Sequence, residues 1–390
     1  MISALDIRER ATEWGLSPDV VEKDYVLGWI LAGIGADPVL GTRFVFKGGT
    51  CLKKCHFETY RFSADLDFTL SEGAPSDAKA LTAAFARVAR FVEDAAGLEL
   101  PADRFRWEVY ANTRGRPAIE GRIYYRGPLA RPAGNMPRIK LDLTADEISV
   151  RPTMLLPIAH PYPDQPAMGD ARVRSYSYDE LFGEKLRALV ERTSPRDLYD
   201  VVNMLRYDPA RPASSTVADA FRTKCRFKGF EAALSADGLL PPERREDLVV
   251  DWGPMLGHQL PALPPVANYV SAIREVAEWL SGAPIAALAS LPMGPDDSGW
   301  TAPRTIDVWQ AGFSAELVRF AGRNRLVIDL GYESTTRLVE PYSYRRTEMG
   351  GLLLYGWNVA SGGIRAYRAD RIDGVRVTDE PFEPRYRVEF

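Results

Sequence analysis

Apolar residues recur every three or four positions through "LSPDVVEKDYVLGWILAGI", where Val21, Tyr25, Trp29 and Ala32 share a face. Ser17 and Pro18 stand at its start, so the pattern predicts a helix with Ser17 as cap and Pro18 at the first position. "RFVFKGG" reads as a short strand ending in a glycine turn, "TCLKKCHFE" as a short helix, and "ADLDFTL" as a strand with alternating faces. Residues 77 to 96 carry a helical pattern. "RFRWEVYANTRGRPAIEGRIYYRG" alternates around a Gly/Pro turn and predicts a hairpin, and "RIKLDLTADE" predicts another strand. Two amphipathic helices follow, "SYDELFGEKLRALVERT" and "SPRDLYDVVNMLRY". The second has Ser194 as cap, Pro195 at its first position, Asp197 closing a capping-box-like pattern, and Leu198, Val201, Val202 and Leu205 on one face. Residues 214 to 283 read as mostly helical with Pro-rich breaks.

The character changes after "LPMGPDDSGWTAPRT", a linker by composition. Short apolar runs such as "RLVIDLGY", "GLLLYGW" and "GVRVT" alternate with turn residues, predicting a separate small all-β domain. A chain of 390 residues has room for two or three cores. Its 49 basic and 53 acidic residues leave a net charge of −4, so a nucleic-acid surface has to be local. The N-terminus lacks the apolar run of a signal peptide, no apolar stretch suits a bilayer, and three cysteines form no disulfide framework. These features predict a cytoplasmic protein without membrane contact.

The chemistry concentrates between residues 46 and 70. Asp65 and Asp67 are two apart on a predicted strand, so both point to one face while Leu66 points to the other. Asp142, alternating with Leu141 and Leu143, offers a third carboxylate on a later strand. Three hard-oxygen ligands suit divalent cations that clamp a phosphoryl group. Gly48 and Gly49, between strand and helix, let backbone N–H groups approach a phosphate, and Thr50 adds a hydroxyl. The rival reading is a surface turn with scattered acids. Cys51 and Cys55 share a helix face, but histidines are scarce, and buried thiols are favoured over a zinc site. Arginines between Arg104 and Lys140 interleave with Trp107, Tyr110, Tyr124 and Tyr125. They read either as a groove for RNA or as a solvated hairpin with its rings in the core.

The order of these elements resembles the polymerase-β-like nucleotidyltransferase superfamily. More narrowly, "VEKDYVL", "FKGGTCLKK", "RFSADLDF" and "EKLRALVERTSPRDLYDV" resemble the AbiEii toxins of abortive-infection and type IV toxin–antitoxin systems, over roughly residues 10 to 285. The resemblance implies an α+β fold: a nucleotidyltransferase core with a mixed sheet over 1–205 and a helical subdomain over 206–285. A linker over 286–303 and a β domain over 304–390 complete the expected organisation. It implies that Gly48, Gly49 and Thr50 cradle the triphosphate of an NTP, with Ser63, Lys185, Arg192 and Asp197 also at the nucleotide. Asp65, Asp67 and Asp142 would hold Mg²⁺ or Mn²⁺, and Lys185 and Asp200 would join them in catalysis.

Each position keeps a plainer alternative. Lys185 suits a solvated helix, Asp197 a cap, Asp200 an i,i+4 pair with Arg196, and Ser63 a turn cap. Glu22, Lys23 and Asp24 read as fold-holding or surface charges, Lys47 as a phosphate contact, and Lys53 as a phosphate contact or a solvent-facing residue.

The C-terminal stretches "RLVEPYSYRR", "LLLYGWN" and "IRAYRADRIDGVRVTDEPFEP" resemble a WYL-type domain, a small Sm-like β-barrel, although the Trp-Tyr-Leu tripeptide itself is absent. In that family, residues such as Arg365, Tyr367, Arg368, Asp370, Arg371 and Ile372 are implicated in binding a ligand or nucleic acid. The expected activity is transfer of NMP from an NTP to the 3′ end of a tRNA, blocking translation under the restraint of a cognate antitoxin. Rival readings are transfer to a protein or small molecule, and a non-catalytic WYL-type ligand-sensing regulator.

Overall fold

The structure, a computed structural model, describes residues 1–57, 60–111, 114–206, 211–292, 294, 297–299 and 313–390. Two compact units share the chain. One comprises Met1–Thr12, Leu16–Arg187 and Ser215–Ala232, and the other Glu13–Gly15, Ala188–Ser214 and Ala233–Phe390.

Along the first stretch run α1 (Ala4–Trp14), α2 (Pro18–Ala36), α3 (Leu40–Arg43), β1 (Phe44–Lys47), α4 (Gly48–Cys51) and a π turn over Leu52–His56. Then come β2 (Asp65–Leu70), α5 (Ala78–Ala96), β3 (Arg106–Ala111), β4 (Pro117–Tyr124), β5 (Arg138–Thr144), β6 (Met154–Pro157), α6 (Gln165–Met168), β7 (Arg172–Ser175) and α7 (Tyr178–Arg192). The strands form a mixed sheet in the order β3-β4-β5-β2-β1-β7-β6. Strand β2 pairs antiparallel with β1 and parallel with β5, which puts it in the middle.

Alternation divides the sheet cleanly. Phe44, Phe46, Leu66, Phe68, Ile139 and Leu141 are fully buried, and Phe44 packs on Phe85 of α5 with ring centroids 6.4 Å apart. The opposite face carries Lys47, Asp65, Asp67, Lys140 and Asp142, together with the buried Val45. Helix α5 matches its predicted limits. The Asp77 carboxylate accepts from the Ala80 N–H at 2.9 Å, and left-handed Gly97 ends the helix. Helix α2 differs from expectation in two ways. Pro18 takes the first turn, but the Ser17 hydroxyl makes no cap bond; the Ser17 carbonyl instead accepts from the Val20 and Val21 N–H groups. It is also buried on most sides rather than along one stripe, since Gly33 and Gly35 let Val88 and the Arg172 carbonyl close in.

Helix α9 (Ser214–Lys228) falls almost wholly in the first unit. The second unit holds α8 (Pro195–Arg206), α10 (Ala236–Leu239), α11 (Arg245–Leu256), α12 (Val266–Leu280) and α13 (Ala315–Arg323). Tyr199 of α8 stacks on Tyr269 of α12, and both hydroxyls donate to Asn324 Oδ1 at 2.9 Å. The last strands, β8 (Leu326–Tyr332), β9 (Thr335–Arg346), β10 (Leu352–Asn358), β11 (Gly363–Arg368) and β12 (Ile372–Pro381), form one antiparallel sheet ordered β11-β10-β9-β8-β12. The helix α13 that packs on this sheet was not predicted. Much of the predicted linker, and the expected start of the β domain at 304, lie outside the described residues. Within the described part of the linker, Leu291 joins a core with Tyr342 and Tyr355 and Asp297 accepts from Arg345 at 2.8 Å, whereas residues 286–290 are exposed. No described helix is long and apolar enough to cross a membrane.

Candidate active site

The polar face of the first sheet places Asp67 directly opposite Asp142 across the parallel pair, and Asp65 opposite Lys140. Lys47, the last residue of β1, lies opposite Asp67 on the other side. The chain then turns through Gly48 at φ +81° into α4. A Cβ on Gly48 would fall on the Asp67 carboxylate, so the glycine is required both by its backbone and by this approach. Gly49 similarly makes room for the buried guanidinium of Arg61, a residue the sequence reading did not single out. Gly48→Ala is expected to cost about 1–3 kcal/mol in strain and to lower transfer about tenfold or more by displacing Asp67. Thermal unfolding and kcat at saturating nucleotide check the two parts.

Burial pushes the Asp67 carboxyl up to about 6; Asp142 and Asp65 add to the rise, while Lys47 and Lys185 oppose it. Burial likewise raises Asp142, against the ammonium of Lys140 at 3.2 Å. Lys47, whose charge acts on Asp67, belongs to an ion-pair network that sequence reasoning missed. Lys47 meets Glu184 at 3.3 Å and Glu147 at 3.7 Å; Lys224 of α9 meets Glu184 at 3.3 Å and Glu180 at 2.7 Å. Burial alone would raise Glu184, but Lys47, Lys224 and Arg187 outweigh it and hold the carboxyl well below its ordinary range. The nearest sequence signal was adjacency: Lys47 precedes the glycines and Glu184 precedes Lys185.

The other predicted residues fall as follows. Thr50 is buried, and its hydroxyl donates to the Asp65 carbonyl, tying α4 to β2. Ser63 lies in the extended segment before β2, partly exposed. Lys185 is buried on α7, and its charge acts on Asp67. Lys53 is buried with its ammonium 4.4 Å from the Phe62 ring centre, so it does not face solvent. Asp24 accepts from Lys54 at 2.7 Å and from Tyr162 at 2.8 Å, both inside the core, which makes it a fold-holding charge. Cys51, Cys55 and Cys225 are buried free thiols. In the hairpin, Tyr125 is buried and the Trp107 indole donates to Thr82 at 3.1 Å, whereas Tyr110 is exposed.

Arg192, Asp197 and Asp200 belong to the second unit. The Arg192 guanidinium donates twice to Asp197, at 2.7 and 3.0 Å, and Asp200 is buried in α8. The Asp197 side chain is wholly buried while Arg192 is mostly exposed. Arg192→Ala is therefore expected to cost about 1–3 kcal/mol by removing a charged partner from a buried carboxylate. Urea unfolding of the Arg192→Ala, Asp197→Asn and double variants should give losses that do not add.

Three carboxylates on one face, beside a glycine whose missing Cβ leaves room at Asp67, fit Mg²⁺ or Mn²⁺ in donor chemistry. As the side chains stand, no group of three or more His, Cys, Asp or Glu among the described residues is gathered to hold an ion. Lys140 pairs with Oδ2 of Asp142 at 3.2 Å, which leaves its Oδ1 outside that pair.

A mixed sheet with aspartates on its polar face, a glycine turn against one of them and a lysine-bearing helix alongside defines an enzyme of nucleotidyl transfer. Residues 29–280 match the family model described as nucleotidyl transferase AbiEii toxin, type IV toxin–antitoxin system, and the chain belongs to that family. Among solved structures, MenT4, a nucleotidyltransferase toxin of Mycobacterium tuberculosis H37Rv, superposes with a TM-score of 0.51 at 20% identity, covering 73% of this chain and 91% of that one. The proteasome accessory factor B/C of Arthrobacter aurescens covers 55% of this chain and 24% of that one, at 13% identity, and its TM-score of 0.16 carries no argument. No curated protein matches.

Proposed function

We propose that this toxin transfers NMP from an NTP to the 3′ hydroxyl of an RNA, a tRNA end by family resemblance, and so blocks translation until an antitoxin restrains it. The observation that carries the reading is the register that sets Asp67 opposite Asp142, with Asp65 two residues away on the same face and Gly48 against Asp67. The acceptor oxygen bonds to the α-phosphorus, the bond to the bridging oxygen of the β-phosphate breaks, and pyrophosphate leaves. Asp65, Asp67 and Asp142 would hold Mg²⁺ or Mn²⁺, whose charge when bound offsets that of the phosphates. Asp142, with Lys140 on its Oδ2, is the carboxylate suited to take the hydroxyl proton. Lys185, acting on Asp67 from α7, is placed in the reading at the triphosphate, where its charge favours the leaving pyrophosphate. The triphosphate cradle at Gly48, Gly49 and Thr50, the nucleotide contacts of Ser63, Arg192 and Asp197, and a catalytic part for Asp200 rest on the family motifs. The WYL likeness supports only a proposed ligand- or RNA-binding part for the last β sheet.

The test supplies each α-³²P-labelled NTP with Mg²⁺ to total RNA and to total protein, for wild type and Asp65→Ala. Label on tRNA-sized RNA that vanishes in the variant is expected. Label on protein alone would replace the acceptor, and no label with any nucleotide would remove the activity.

A further inference from the structure

Two cations near Asp65, Lys23 and Arg138, make no hydrogen bond or ion pair among the described residues. The first turns of α2 are fastened to the β4–β5 connection: the Leu129 N–H donates to Glu22 at 2.6 Å, and Arg131 pairs with Asp19. On the same turn Lys23 is half-buried, close enough to β2 and β5 for the charges of Asp65 and Arg138 to act on it. Arg138, at the start of β5, projects from the same face as Lys140 and Asp142, two residues before the position paired with Asp65. Burial lowers the Lys23 ammonium, the charge of Asp65 raises it, and the charge of Arg138 lowers it further. The cations around them are satisfied: Arg122 by Glu108 and Glu120, Lys140 by Glu120 and Asp142, Arg131 by Asp19. Lys23 and Arg138 make no hydrogen bond or ion pair with any described residue. Two like charges that share the single nearby carboxylate of Asp65 leave a positive excess, which suits an anion.

Its position selects the anion. Gly48 and Lys185 act at Asp67, which marks the triphosphate end of the aspartate row. Asp65 and then Arg138 lie progressively toward the other end. In an in-line displacement the attacking oxygen approaches opposite the leaving pyrophosphate. We propose that Lys23 and Arg138 bind a backbone phosphate near the 3′ end of a single-stranded RNA acceptor, next to Asp65. This rests on the nucleotidyl-transfer reading above and extends it to how the acceptor is held. Tyr124 lies directly across the β4–β5 pair from Arg138 and is partly exposed, giving a ring on which an unstacked base can rest.

The test uses the full chain and a fluorescein-labelled single-stranded 12-mer RNA. Anisotropy gives RNA affinity across a salt series, and calorimetry gives the affinity for each NTP. The variants are Lys23→Gln, Arg138→Gln, their double, and Arg138→Lys, with Arg222→Gln as a control that removes an exposed charge on α9. The double variant is expected to bind RNA about 10- to 100-fold more weakly and to lower the slope of log affinity against log salt by about 1.4, the value for two contacts on a single strand. Nucleotide affinity should stay within about twofold, Arg138→Lys should recover part of the loss, and Arg222→Gln should change nothing. Thermal unfolding of each variant separates misfolding from lost contact. A nucleotide affinity that falls as far as RNA affinity would make the pair a triphosphate site and overturn the proposal. Unchanged RNA binding, or RNA binding absent in wild type, overturns it too. The reading beneath fails separately, when wild type moves no label from any NTP to any acceptor.

Discussion

Asp67→Asn is expected to reduce nucleotidyl transfer about a thousandfold or more while making the metal-free protein more stable at neutral pH. Both effects come from one placement. Asp67 faces Asp142 and sits against Gly48, so the amide removes a charged oxygen from the position where charge on the substrate is balanced. The same carboxyl is held at about 6 instead of 3.8, chiefly by burial. A raised folded value means the folded state binds the proton more tightly than the unfolded chain does. Below pH 3.8 both states are protonated and the carboxyl contributes nothing. Stability then falls as pH rises from 3.8 to about 6, and the loss persists above that. At pH 8 with EDTA the variant should therefore gain on the order of 1–2 kcal/mol, the shift being discounted for partial exposure. At pH 3.5 the two proteins should coincide. Urea unfolding at both pH values, beside single-turnover transfer with Mg²⁺, gives the result. Transfer retained by Asp67→Asn would remove Asp67 from the site, and a variant less stable at pH 8 would show the carboxylate to be a stabilising charge.

The aspartates were legible because strand periodicity is local. "ADLDFTL" and "RIKLDLT" each state which residues share a face, and Gly-Gly between strand and helix states where the backbone turns. That β2 and β5 are neighbours, with Asp67 opposite Asp142, is a property of sheet order and lay beyond any periodicity. Lys23 was read together with Glu22 and Asp24 as a surface or fold-holding charge; the structure buries Glu22 and Asp24 and leaves Lys23 half-buried. What distinguishes Lys23 is Arg138, more than a hundred residues away, and no spacing along the chain reveals that. Helix α13 went unread because it is short and lies among turn residues, and its burial comes from the sheet beneath it. Thr50 was assigned by motif to the nucleotide, whereas its hydroxyl is engaged by the Asp65 carbonyl, a contact that only the packing of α4 on β2 makes visible.

The largest loss of stability is expected from Lys224→Met, a residue with no part in the family motifs. Its ammonium is wholly buried, 2.7 Å from a wholly buried Glu180 and 3.3 Å from Glu184, and it donates to the Ile148 carbonyl at 2.9 Å. Methionine fills similar space but leaves Glu180, among the described residues, with the Val150 and Arg151 N–H groups as its hydrogen-bond donors. Removing one partner of a buried pair costs about 3–5 kcal/mol, because the remaining charge stays desolvated. The double variant Lys224→Met/Glu180→Gln should recover part of that, since no unpaired charge is left. The effect reaches the site through Glu184, whose carboxyl is held low, against its burial, by Lys47, Lys224 and Arg187. The stability this gives is present above the ordinary value of 4.5 and is lost as pH falls below it. With Lys224 gone that acid-sensitive share shrinks, and Lys47 is drawn more fully to Glu184 and less to Asp67. Folded Lys224→Met should accordingly show transfer reduced by about tenfold, the scale of a small misplacement of charge. Urea midpoints at pH 4 and pH 8, with transfer measured well below the midpoint, separate the two consequences. A loss under about 1 kcal/mol would mean that water reaches Glu180 once Lys224 is removed, and the network would then be a surface feature without influence on Asp67.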